Sequence, residues 1–163
     1  MLIEGPSTSP RDVDGLASLW RQLHRHHLHT ASYRPLVEDE AVSWARRRRW
    51  YREMLAAGGR YFVARDGDRV VGYLFAQLTE GDDDTFVTNG AIVEVVSLVV
   101  AEDERTTGGG TRLLAAAEDL ARREGAGVVK LAVMTGNERA QAFYESHGFA
   151  PGELVYYKQL DHD

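Results

Sequence analysis

The sequence predicts an α/β fold: a mixed central sheet with helices on both faces, formed as one domain across all 163 residues. Three observations lead there. Apolar residues recur at helical spacing through roughly the first 60 positions. From Tyr61 onward the pattern changes to short runs rich in β-branched and aromatic residues. Two of these runs, Ala91 to Val100 and Val128 to Val133, are apolar nearly throughout and flank a glycine-rich turn with a helical stretch. Such runs suit buried strands of a mixed sheet with helices on both faces.

Taken in order, Leu2 to Glu4 predicts a short first strand, and Ser7 to Asp12 a turn. Asp12 or Asp14 is placed to cap a helix running to about His29, with Leu16, Leu19, Trp20 and Leu23 along one side. Thr30 to Pro35 breaks it. A second helix is expected from about Glu38 to Ala57, stopped by Gly58-Gly59. Tyr61 to Ala64 and Val70 to Ala76 flank Asp66-Gly67-Asp68 and predict a hairpin. Glu80 to Asp84 is an acidic loop. After the strand at Ala91 to Val100, a helix is expected from about Gly109 to Glu124, then the strand from Val128 to Val133. A short helix from Asn137 to His147 is ended by Gly148, and Leu154 to Gln159 is expected to close the sheet as a last strand.

Composition narrows the function. With 44 % hydrophobic and 27 % charged residues the chain has an ordinary globular balance. Lys and Arg number 19 against 25 Asp and Glu, so the net charge is 19 − 25 = −6. That disfavours nucleic acid and anionic membranes and suits a cationic small substrate. The absence of cysteine excludes disulfides, thiolate metal sites and a cysteine nucleophile. The N-terminus lacks a signal-peptide pattern, and no apolar stretch approaches the ~20 residues of a membrane span, so a cytoplasmic location is expected.

Two motifs carry chemistry. In Arg105-Thr106-Thr107-Gly108-Gly109-Gly110, the glycines let the backbone turn tightly and approach a ligand. The first turn of the helix that this run opens leaves N–H groups unpaired, and these can seat a diphosphate, with Arg105 adding charge. Thr111-Arg112 does not supply the Lys-Ser/Thr of a Walker loop, and Leu113 stands where a dinucleotide-binding fingerprint needs glycine. By itself the loop reads equally as a flexible turn before a helix. The second motif, Asn137-x-x-Ala140-x-x-Phe143-Tyr144-x-x-x-Gly148-Phe149, places Asn137, Ala140 and Tyr144 on one helix face. The small Ala140 between two polar groups leaves a channel for an extended ligand. Asn137 also suits a helix cap, and Tyr144 also suits a core tyrosine with a satisfied hydroxyl. Glu94 interrupts its apolar strand, which is costly unless it has a partner or opens on a cleft. It is a candidate general base or a strand glutamate reaching solvent.

Arg105-x-x-Gly108-x-Gly110 followed by Leu113-Leu114, together with the Asn137 to Phe149 motif, resembles the GCN5-related N-acetyltransferase (GNAT) superfamily. The resemblance covers residues 61 to 160. It implies a single-domain fold with a sheet of about seven strands, residues 1–60 shaping the acceptor side and residues 61–160 binding acyl-CoA. It implies acetyl-CoA as cosubstrate with no metal, and direct transfer of acetyl to a primary amine of an unidentified acceptor, which the net charge suggests is small and cationic. Residues 105 to 111, that is Arg105, Thr106, Thr107, Gly108, Gly109, Gly110 and Thr111, would bind the diphosphate. The main chains of Leu98, Val99 and Val100 would pair with the pantetheine arm, beside Asn137 and Ala140. Tyr144 would protonate the leaving sulfur, and Glu94, eleven residues before Arg105, would take the base position of the histone-acetylating branch. A homodimer is compatible with the family. Two departures stand out: Thr106 replaces a frequent glycine, and Gly109 replaces an aliphatic and predicts a looser helix start. The alternative is an acyl-CoA-binding sensor or interaction module without catalysis.

Other features are weaker. His24, His26, His27 and His29 form i, i+3 pairs that would rim the acceptor pocket, lie on the surface or, least expected, hold a metal. Tyr33 and Trp44 are candidate pocket walls or ordinary packing. Arg46 to Arg49 point in different directions on a helix and predict a solvated face. The acidic loop at Glu80 and Asp82-Asp83-Asp84 is a weaker candidate for drawing in a cation.

Overall fold

The computed structural model describes residues 1–81 and 85–160, so the Asp82-Asp83-Asp84 expectation lies outside the described residues. In chain order the elements are β1 (Leu2–Ser7), a 3-10 turn (Val13–Leu16), α1 (Ala17–Thr30), α2 (Glu40–Ala56), β2 (Arg60–Asp66), β3 (Arg69–Glu80), β4 (Ala91–Val100), a second 3-10 turn (Glu102–Glu104), α3 (Gly109–Arg123), β5 (Val128–Leu131) and α4 (Glu138–Ser146). The five strands lie in the order β1-β2-β3-β4-β5. Neighbours from β1 to β4 are antiparallel, while β5 runs parallel to β4 and is reached through α3. Among the described residues, no helix is long and apolar enough to cross a membrane.

Each face of the sheet buries its own core. On one side Tyr61, Tyr73, Phe75 and Val99 pack with Leu16, Leu19, Tyr51, Met54 and Leu55 of the first two helices and the turn before them. The rings of Tyr51 and Phe75 are parallel at 3.8 Å. On the other side Phe62, Val71, Leu74, Val93 and Val95 meet Leu113, Ala117, Leu120 and Ala121 of α3. Each fully buried leucine contributes about 1.5–3 kcal/mol. Because both faces are covered, β4 shows no polar face to water, which explains its apolar run.

The expectation of about seven strands is corrected to five among the described residues. Residues 151–160 form no strand, and Leu154, Val155, Tyr156, Tyr157 and Leu160 are exposed. Pro151 has no N–H to donate, and β5 is only four residues long, so it presents a short edge. That strand ends at Leu131, two residues before the expected end. The following loop is drawn instead to the end of α1: Ser32 and Thr135 share a hydrogen bond of 2.8 Å. Gly136 lies so close to the Thr30 carbonyl that a Cβ would sit 2.1 Å from its oxygen. The helix-cap expectation at Asp12 or Asp14 is also corrected. A 3-10 turn precedes α1 without a side-chain cap, and Asp14 instead pairs with Arg48 and Arg52 of α2. The second helix is capped by Asp39, whose carboxylate accepts from Val42 N–H at 2.8 Å.

The histidines separate. His24 is buried, and Ser43 joins it to Trp20: the indole N–H donates to Ser43 Oγ at 3.1 Å, and Ser43 Oγ shares a hydrogen bond of 3.2 Å with His24 Nδ1. His29 is exposed and bonds the Arg25 carbonyl. His27 packs edge-on to Trp20. Arg47, in the middle of the arginine run, lies over the rings of Trp20 and Trp50, while Arg48 reaches Asp14 and Arg49 faces Glu53. Tyr33 stacks on Tyr157, and Trp44 packs against the first core. Among the described residues, no group of three or more His, Asp or Glu is arranged to hold a metal.

Burial, and then the nearby charges of His26, Arg47 and His24, lower the His27 pKa from 6.5 to about 4. Between those values the unfolded chain binds the extra proton and the folded chain does not, so stability falls as pH drops through that window. The expected loss is about 2–4 kcal/mol on going from pH 7 to below pH 4. His27→Gln removes it. Thermal denaturation of both proteins across this range should show the variant losing clearly less stability than the wild type.

Candidate cofactor site

The site is built where β4 and β5 part. Four register pairs join them, from Ile92↔Val128 to Val95↔Leu131, and then β5 ends while β4 continues to Val100. On its other side β4 is bulged: Phe75 pairs with Ser97 and Ala76 with Val95, so Val96 has no opposite number. Beyond this point the free side of β4, at Leu98, Val99 and Val100, forms one wall of a cavity of about 390 Å³. The start of α3 forms a second wall, and α4 a third.

At the start of α3, Gly108 is the cap residue, with φ +86°. That left-handed conformation suits glycine, which has no Cβ to clash. The first helical bond of α3 runs from Arg112 N–H to the Gly108 carbonyl, at 3.1 Å. The N–H groups of Gly109, Gly110 and Thr111 thus open the helix without intrahelical acceptors, and the helix dipole adds partial positive charge. A Cβ on Gly110 would lie 3.3 Å from the Phe143 ring, and one on Gly109 would lie 2.9 Å from Met1 Sδ. Gly109 is buried, with Met1 packed against it. Arg105 lines the cavity, with its guanidinium 4.0 Å from the Glu102 carboxylate. Thr106 lines it too, and holds φ +87° without being glycine.

From α4 come Asn137, Arg139, Ala140, Phe143, Tyr144 and His147. Asn137 Oδ1 accepts from Ala140 N–H at 3.2 Å and caps the helix, which leaves its NH₂ free to donate. Tyr144 is largely buried, and burial pushes its pKa up to about 12. Its hydroxyl makes no hydrogen bond among the described residues. Phe143 is half-buried on the cavity wall.

The cavity thus brings together Leu98, Val99, Val100, Arg105, Thr106, Gly108, Gly109, Gly110, Thr111, Asn137, Ala140 and Tyr144. Two expected residues lie elsewhere. Thr107 turns away, with both its N–H and its hydroxyl on the Glu104 carbonyl at 3.3 and 2.8 Å, closing the short turn before the loop. Glu94 does not line the cavity either. It lies opposite Gln77 on β3, whose amide donates to its carboxylate at 2.8 Å. Of the histidines of α1, His26 lines the cavity, beside Leu23. His147, not singled out from the sequence, lines it too: Nδ1 donates to the Phe143 carbonyl at 2.7 Å, and Nε2 accepts from Thr111 Oγ1 at 3.0 Å. Its spacing was the available signal, since it lies three residues after Tyr144 on the same helix face.

An elongated cleft with exposed N–H donors at one end and a free strand edge along its length suits a diphosphate-bearing cofactor with an extended arm. The chain belongs to the acetyltransferase (GNAT) family, whose profile matches residues 20–149. Members of this family use acetyl-CoA and an acceptor. No curated protein matches the chain closely in sequence. Among solved structures, a GCN5-related N-acetyltransferase from Ralstonia eutropha is similar at TM-score 0.76 and 19 % identity, covering 97 % of this chain and 99 % of that one. An aminoglycoside antibiotic 6'-N-acetyltransferase from Acinetobacter haemolyticus is similar at TM-score 0.74 and 20 % identity, with 100 % of each chain covered. A transcriptional regulator from Bacillus halodurans reaches TM-score 0.72 at 19 % identity, covering 98 % of this chain and 99 % of that one. At these identities the likeness is one of fold.

The backbone of Thr106 stores strain, since a left-handed conformation costs a residue with a Cβ about 1–2 kcal/mol. Thr106→Gly relieves it, offset in part by the greater freedom of glycine in the unfolded chain. The expected outcome is a net stabilisation of about 0.5–1 kcal/mol, read as a higher midpoint in chemical denaturation.

Proposed function

We propose that this protein transfers the acetyl group of acetyl-CoA to a primary amine of a small cationic acceptor, by direct attack and without a covalent enzyme intermediate. The observation that supports the reading is the cavity: the residues of the helix start, the free strand edge at Leu98 to Val100, Asn137 and Tyr144 all line one cleft. A Cβ placed at Gly108 would meet nothing within 4 Å, so the loop leaves open space where the diphosphate would sit. The N–H groups of Gly109, Gly110 and Thr111, with Arg105, would hold the two phosphoryls. The edge of Leu98, Val99 and Val100 would hydrogen-bond the pantetheine amides, and Asn137 would donate from across the cleft.

Bound acetyl-CoA supplies an activated thioester carbonyl. An alkylamine with a pKa of about 10.4 is almost wholly protonated at neutral pH, so the site must remove a proton before attack. Glu94 is the base in this reading, oriented by Gln77. Four residues of strand separate Glu94 from Leu98, about 13 Å, so the proton reaches the carboxylate through water. As the C–N bond forms and the C–S bond breaks, Tyr144 donates to the sulfur. The burial that keeps this phenol protonated also disfavours a free thiolate beside it, so its hydrogen bond is worth most as charge develops there. The net charge of −6 favours approach of a cationic acceptor.

The test is release of free thiol from acetyl-CoA in the presence of a panel of amines. An acetyltransferase releases thiol with at least one of them. A protein that binds coenzyme A in calorimetry but releases none above background is a sensor, and the catalytic reading is then wrong. Tyr144→Phe is expected to lower kcat about 100-fold while coenzyme A affinity changes little; unchanged kcat removes Tyr144 from the chemistry. Glu94→Gln is expected to lower kcat/KM about 100-fold at pH 7. That deficit should shrink as pH approaches the acceptor's own pKa, where the amine is already neutral. A deficit constant with pH assigns Glu94 another role.

A further inference from the structure

Behind the fork lies a buried hydroxyl chain that the proposed chemistry does not use. Ser97, on β4 immediately after the unmatched Val96, is 7 % exposed. Its Oγ donates to the Val96 carbonyl at 2.7 Å. Tyr51 of α2 donates to Ser97 Oγ at 2.6 Å. The Tyr51 oxygen lies 3.3 Å from the Tyr73 hydroxyl, and with the Tyr51 proton already committed to Ser97, Tyr73 is the donor. The chain therefore has one direction, from Tyr73 of β3 through Tyr51 and Ser97 to the carbonyl of the bulge. Every proton has an acceptor, and Tyr51 and Tyr73 are fully buried.

A bulge residue loses regular ladder partners, so its main-chain groups must find others. Val96 has no register partner on β3 or on β5. The Ser97 hydroxyl gives its carbonyl a partner from within β4 itself. Removing that hydroxyl would favour a regular ladder, in which the strand shifts by one residue and the edge beyond it changes register. The phenols remain protonated donors, since burial raises both above their ordinary range, Tyr73 the further. Tyr51 is held in turn by its stack on Phe75 and by Arg47, 5.6 Å from its ring.

We propose that Tyr73, Tyr51 and Ser97 are positioning residues for the cofactor cleft: their hydroxyl chain holds the β4 bulge at Val96 and so sets the register of the free edge at Leu98 to Val100. They touch no ligand themselves. Through this chain α2 is coupled to the strand edge that would bind the pantetheine arm. The inference rests on the proposed cofactor reading for that last step alone.

The experiment compares two probes by calorimetry: coenzyme A, which spans the loop and the edge, and its nucleotide half (phosphoadenosine diphosphate), which reaches only the loop. Ser97→Ala is expected to weaken coenzyme A about ten-fold while leaving the nucleotide half within about two-fold. Ser97→Thr, which keeps the hydroxyl, restores most of the loss. Tyr51→Phe, which keeps the ring, repeats the Ser97→Ala pattern and serves if the latter does not fold. Equal loss for both probes means general damage, and unchanged coenzyme A affinity in both variants means the chain positions nothing; either result overturns the proposal. If the wild type binds neither probe, the cofactor reading fails by itself. Amide hydrogen exchange then decides the remaining claim: residues 95–98 should exchange faster in both variants, and unchanged protection overturns it.

Discussion

The parting of β4 from β5 is the constraint on which the rest of this structure depends. Two parallel strands in register would satisfy each other's backbone groups and leave nothing for a ligand. Here they stay paired only as far as Val95 and Leu131. Two contacts pull them apart. On the β4 side an extra residue, Val96, breaks the ladder with β3 and bends the strand. On the β5 side the chain is drawn to the end of α1, through Ser32 with Thr135 and through the close approach of Gly136 to Thr30. The edge so exposed is polar main chain inside an apolar core, a surface that an amide-bearing ligand can complete.

The other elements follow from that edge. The crossover helix α3 begins at its end, so unpaired N–H groups collect where an anion would sit. Gly110 lets α4 lie close over this start, with Phe143 against it. That packing turns Asn137, Ala140, Tyr144 and His147 toward the cleft, while the cap at Asn137 uses only its oxygen. Tyr144 then stands where burial holds its proton. The first two helices cover the opposite face, and their aromatic residues support the sheet behind the fork.

Much of this was legible in the sequence because it depends on local spacing. The helical repeat around Leu16 to Leu23, the hairpin at Gly67 and the helix starting at Gly109 need only neighbouring residues, and each is present. The loop and the helix face of Asn137, Ala140 and Tyr144 were visible for the same reason. The final strand at Leu154 to Gln159 was not to be had from pattern alone. Its alternation is strand-like, but pairing requires an edge, and β5 is short because the loop after it is bound to α1. Thr107 was grouped with its neighbours by motif, yet its hydroxyl found the Glu104 carbonyl first. His147 and Arg139 fell outside the motif although their helix positions bring them to the same cleft.

The chain by itself determined the helices and the strands up to β5, which family it belongs to and which turn can approach an anion. These rest on side-chain periodicity and on glycine's freedom, both local properties. Tertiary structure alone decided that Val96 is the residue left over in the ladder, that Glu94 is held by Gln77 away from the cavity, and that Ser97 is joined to two tyrosines 46 and 24 positions away in the sequence. The physical reason is that register and buried hydrogen bonds are relations between distant segments. They come into being only when packing brings those segments together.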